Sequence, residues 1–82
     1  LSNREAEVFS YLLLYNDAGY EDNVNHKKVR KDIKDLLGIS EANLSRYLGT
    51  IKTKGLIIRK NNKWVINDNI KHLENQLENY SE

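Results

Sequence analysis

The sequence predicts a mainly α fold with a small β-hairpin: three helices, a two-stranded hairpin and a C-terminal helix, in one domain over residues 1–82. Three observations predict it. Apolar residues recur at helical spacing in separate stretches along the chain. Gly38 and Gly55 stand where two of those stretches stop, as residues that leave a helix through a left-handed conformation do. Two β-rich segments flank the pair Asn61-Asn62, which tolerates the positive φ angles of a tight hairpin turn.

Taken in order, Ser2-Asn3-Arg4-Glu5 reads as a capping box, in which the Ser hydroxyl and the Glu carboxylate satisfy each other's backbone amides. Behind it Val8, Phe9, Leu12, Leu13 and Tyr15 keep helical spacing, predicting a first helix over residues 3–15. The polar run from Asn16 to Asn23 has loop composition and ends that helix, with Val24 expected to make a short extended contact. Val29, Ile33, Leu36 and Leu37 form one apolar stripe, so a second helix is predicted over about 26–37 with Gly38 just past its end. Ser40 is placed to cap a third helix that buries Leu44, Leu48 and Ile51 and stops at Gly55. Segments 56–60 and 63–67 are the predicted strands, and Trp64 is expected in the core between Ile57 and Ile66. Asn67 or Asp68 would cap a last helix over about 68–80. Its Ile70, Leu73, Leu77 and Tyr80 are spaced like a heptad seam. That seam either packs back on the first helix or joins two copies as a homodimer. About two heptads are too short to dimerise alone.

Composition excludes several classes. With 39% hydrophobic and 30% charged residues the chain reads as a soluble globular domain, expected in the cytoplasm and associated with the nucleoid. It has no apolar run near the roughly 20 residues that a bilayer-spanning helix needs. The chain starts at Leu1 and contains no Met, as expected of a fragment or a processed chain. Without Cys there is no disulfide framework, thiolate zinc site or cysteine nucleophile. His26 and His72 are far apart, are expected on the surface, and predict no metal site. No pair of carboxylates sits in an apolar setting and no glycine-rich phosphate loop occurs, so no catalytic residue, cofactor or small-molecule site is predicted, and no enzyme.

Charge is distributed unevenly. Residues 26–63 hold eleven Lys/Arg against three acids, a balance of +8, while the rest of the chain holds two bases and nine acids, a balance of −7. Such a split predicts one basic surface for a polyanion, with acidic flanks kept away from it.

The ordered set Leu37-Gly38-Ile39-Ser40, Leu44-Ser45-Arg46, Leu48, Ile51, Lys54-Gly55-Leu56-Ile57 and Arg59 resembles the winged helix-turn-helix DNA-binding family over residues 30–67. Two helices crossing around a short turn need a glycine at the corner, apolar residues on both sides of it, and an apolar heel that seats the second helix. Lys34 departs from the pattern, standing where the family usually has Ala beside the facing helix. Tyr47 departs as well, standing where a smaller or polar residue is common.

The resemblance implies a helix-turn-helix over about 27–54, a wing over about 56–67, and a recognition helix over 41–54 lying in the major groove of double-stranded DNA. Ala42, Asn43, Ser45, Arg46 and Thr50 lie away from the apolar heel of that helix. Arg46 has the paired donors that read guanine and Asn43 those that read adenine. Ser40, Ser45 and Thr50 suit phosphates or waters. The wing residues Arg59, Lys60, Asn61, Asn62 and Lys63 would reach the backbone or minor groove, and Lys27, Lys28 and Lys31 would add phosphate contacts. The expected function is a sequence-specific DNA-binding module of a bacterial or phage transcriptional regulator. A plasmid or phage replication initiator is the alternative on the same fold, since Trp64-Val65-Ile66-Asn67 is similar to a phrase that follows the wing in some initiators, with Asp68 where they often have Pro. A protein-protein interaction module within a larger assembly is the alternative from another class.

Overall fold

The computed structural model describes residues 1–20 and 22–67; the helix expected over 68–80, with Ile70, Leu73, Leu77 and Tyr80, lies outside the described residues. Within them the chain is mainly helical with one antiparallel hairpin. Its elements are α1 (Asn3–Asp17), α2 (Lys27–Leu37), α3 (Glu41–Thr53), β1 (Ile57–Lys60) and β2 (Lys63–Ile66).

The capping box forms as the sequence predicts: Ser2 Oγ accepts from the Glu5 N–H at 3.2 Å and Glu5 Oε1 accepts from the Ser2 N–H at 2.7 Å. α1 runs two residues past the expected end at 15, because the chain reverses at Gly19 (φ +92°) rather than at the first polar residue. The Gly19 N–H reaches the Asn16 carbonyl and the Tyr20 N–H the Tyr15 carbonyl, each at 3.0 Å, so the last helical carbonyls are satisfied. Val24 makes no extended contact. It sits in a turn over 22–25 that drives its side chain into the core, and buried Asn23 ties that turn to α1 through a 2.9 Å bond from Nδ2 to the Leu12 carbonyl.

α2 buries Val29 and Ile33, but Leu36 of the same stripe faces solvent. The helix ends at Gly38 with φ +63°, a left-handed exit that costs a glycine little, and the Ile39 N–H closes on the Lys34 carbonyl at 3.1 Å. Ser40 then caps α3 through a 3.1 Å bond from the Asn43 N–H. α3 lays Leu44, Leu48 and Ile51 against Val8, Phe9 and Leu12 of α1, and Ile57 and Ile66 close the core from the hairpin.

The strands pair Ile57 with Ile66, Ile58 with Val65, Arg59 with Trp64 and Lys60 with Lys63. Asn61 (φ +54°) and Asn62 (φ +65°) make the two-residue turn with both φ angles positive, as a type I′ turn requires. Side chains alternate across a strand, so Arg59 shares a face with Trp64, Ile57 and Ile66, and Lys60 and Lys63 share the other with Ile58 and Val65. Trp64, expected in the core, is only half-buried. Asn67 fastens the base of the hairpin, its N–H on the Leu56 carbonyl at 3.0 Å and its Nδ2 on the Gly55 carbonyl at 2.8 Å.

Candidate nucleic-acid interface

The fold sorts the basic residues into two groups. On α2, Lys28 pairs with Asp32 at 3.0 Å and Lys31 with Asp35 at 2.8 Å, each one turn further along the helix. Asp35 raises the Lys31 pKa and Asp32 that of Lys28, while the Tyr15 hydroxyl and Lys28 hold the Asp32 carboxyl below its ordinary value. Lys34 reaches Glu41 at the start of α3 at 2.6 Å. Arg30 meets the other oxygen of the same carboxylate, and its guanidinium also donates to Ser45 Oγ at 3.0 Å and to the Val24 carbonyl at 2.8 Å. Lys34 and then Arg30 draw the Glu41 pKa down. Charge therefore bridges α2 and the start of α3. Of the cations on α2, Lys27 alone has no acid partner among the described residues.

Residues 42–63 differ. They carry Arg46, Lys52, Lys54, Arg59, Lys60 and Lys63 and not one acid. Among the described residues no ion pair reaches Arg46, Lys52, Lys54, Arg59 or Lys60. Arg46 lies over the Tyr47 ring at 5.3 Å and Lys52 over the Trp64 ring at 4.5 Å, contacts that orient a cation without cancelling its charge. Lys60 and Lys63 face each other across the turn, where like charges repel unless an anion lies between them.

On α3, Ala42, Asn43, Ser45 and Arg46 are exposed. Gly49 has open space where a Cβ would stand, so the helix surface beside Arg46 offers close approach to a partner. Several hydroxyls expected to meet phosphate have internal roles: Ser40 is the helix cap, and Ser45 accepts from Arg30. Thr50 is half-buried, donates weakly to the Arg46 carbonyl, and its hydroxyl helps to lower the Glu5 pKa after the larger effect of Ser2. Asn61 and Asn62 are exposed at the hairpin tip.

Sequence reasoning left out Lys52 and Lys54, which the fold sets between Arg46 and the hairpin. The absence of any acid between Glu41 and Asp68 was the available signal. It also placed His26 on the surface, whereas His26 is half-buried, packs edge-on to Tyr20 at 5.1 Å, and leaves Nδ1 without a hydrogen-bond partner among the described residues. Among the described residues no group of three His, Cys, Asp or Glu gathers to hold a metal ion, and no helix is long and apolar enough to cross a membrane. Comparison with protein-family models, with curated proteins and with solved structures returned no match.

Proposed function

We propose that this chain is a winged helix-turn-helix module that binds double-stranded DNA sequence-specifically, of the kind transcriptional regulators carry. One observation supports the reading above others: the acid-free run 42–63 puts Arg46 and Lys52 on α3, Lys54 at its C-cap, and Arg59 and Lys60 on the hairpin, without an ion-pair partner among the described residues. A surface shaped for a neutral protein partner has no use for that concentration of charge, whereas a phosphate backbone does. In this reading the exposed face of α3 enters the major groove, with Arg46 as the base-reading residue and Ala42 and Gly49 as the close-approach positions. The hairpin cations lie along the backbone.

Selection from a random duplex pool tests the proposal. The wild-type chain enriches a defined sequence, Arg46→Ala binds without enriching it, and Lys60→Ala weakens all sequences alike. Failure of the wild type to retain any duplex at low salt sinks the reading.

A further inference from the structure

Arg30 stands apart from the acid-free surface, and its guanidinium is committed inside the fold. The side chain is 19% exposed. Nη1 donates to the Val24 carbonyl at 2.8 Å and Nε to Glu41 Oε1 at 3.2 Å, while Nη2 donates to the same Glu41 oxygen and to Ser45 Oγ, the latter at 3.0 Å. All three nitrogens are engaged, and they join the turn over 22–25, α2 and α3. That turn is itself tied to α1 through Asn23 Nδ2 on the Leu12 carbonyl, so the clamp registers α3 against α1 as well as α2.

Glu41 and Ser45 lie one turn apart on a single flank of α3. Leu44, about 100° round the axis from Ser45 in one direction, begins the buried heel; Arg46, about 100° round in the other, is on the exposed face. The heel of Leu44, Leu48 and Ile51 is held by apolar packing, which has no direction and leaves a helix some freedom to roll. A rigid planar fork that meets two successive turns of one flank removes that freedom. A roll of about 20° carries a side-chain tip roughly 5–6 Å from the axis by about 2 Å, enough to break a hydrogen bond.

We propose that Arg30 is a positioning residue that fixes the roll of α3, and with it the direction in which Asn43 and Arg46 project, without itself meeting the partner. The consequence for base reading rests on the DNA-binding function proposed above; the clamp itself does not. In this arrangement the Ser45 hydroxyl holds the helix rather than a base or a phosphate. Lysine cannot replace Arg30, because an ammonium is a point donor that does not span Val24, Glu41 and Ser45 in a fixed geometry.

Arg30→Lys keeps the charge and Ser45→Ala alters none, so both leave the general attraction to phosphate intact. In the full chain, each should cut the affinity ratio of the enriched duplex over a random duplex by about tenfold, the order of one well-placed base contact. Affinity for the random duplex should stay within about twofold. The double variant should cost no more than the larger single change, because the two residues act through one clamp. An unchanged ratio or additive losses overturn the proposal, and so does a parallel loss on both duplexes, which would make Arg30 a phosphate contact. Residual dipolar couplings of the backbone amides, measured without DNA, test the clamp even if the wild type retains no duplex. Both variants should keep the couplings of α1 and shift the pattern along α3. Couplings of α3 that superimpose on those of the wild type overturn the clamp whatever the DNA result.

Discussion

The Asp22 carboxylate accepts the backbone N–H of Trp64 at 2.9 Å, joining residues 42 apart in sequence. That amide belongs to β2, and the side chain of Asp22 stands where a neighbouring strand would present a carbonyl. A strand cannot form there because Asp22 has φ +48°, outside the extended range. One side chain thus fixes the hairpin against the turn that precedes α2, and through it the spacing between the hairpin cations and α3.

Asp22→Ala should therefore lower stability by about 1–2 kcal/mol, the effect of leaving a part-buried N–H without its acceptor. Asp22→Asn keeps an acceptor oxygen and should recover most of the loss. Urea unfolding followed by the fluorescence of the single Trp64 reads both. Equal loss in the two variants would show that charge, not the hydrogen bond, holds the hairpin.

Glu41 sets an acid limb on stability. Lys34 and Arg30 hold its pKa below the ordinary 4.5 in the folded chain. Its stabilising contribution is present above that value and is lost as the pH falls through the lower, folded pKa. Asp32, lowered by Tyr15 and Lys28, adds to the same limb from below its ordinary 3.8. Melting temperature should fall as the pH drops below about 4.5, and Glu41→Gln should be less stable at neutral pH with a flatter decline below it. Parallel curves for the two proteins would remove Glu41 from the explanation.

The Asn61-Asn62 turn holds two non-glycine residues at positive φ. Asn62→Gly should leave stability unchanged or raise it slightly, while Asn62→Val should cost about 1–2 kcal/mol. Thermal melts compare them directly, and a Val variant as stable as the parent would mean that the turn changes type.

Salt dependence separates the two groups of cations. If Lys52, Lys54, Arg59, Lys60 and Lys63 meet phosphates, log K for duplex DNA should fall against log salt with a slope of roughly −4.5. Lys54→Ala should make that slope shallower by about one, and Lys31→Ala, whose lysine is engaged with Asp35, should change it less. Equal effects at Lys31 and Lys54 would show that the α2 ion pairs open on binding.

Much of the fold could be read from the chain because its signals are local. The capping box, the left-handed exit at Gly38 and the Asn-Asn turn are each decided by neighbouring residues, and each formed as expected. What escaped was tertiary. Nothing local shows that Leu36 stays in solvent, that Val24 enters the core from a turn, or that Trp64 lies half-open beneath Lys52. The candidate site divided the same way. Its basic residues were evident, but which of them find acids depends on Glu41 meeting Arg30 and Lys34 across two helices.

The two-stranded hairpin has a further consequence. Asp22 covers part of the edge of β2, but no third strand lies along β1 among the described residues, and an open strand edge is a template for another chain. Arg59 and Lys60 sit on that strand, with Lys63 across the turn. Their charges act as gatekeepers against edge-to-edge aggregation as well as candidates for phosphate contact. Variants that neutralise several of them at once would lose colloidal protection together with any phosphate contacts, so charge-swapped or single-site changes are the cleaner way to test the proposed binding.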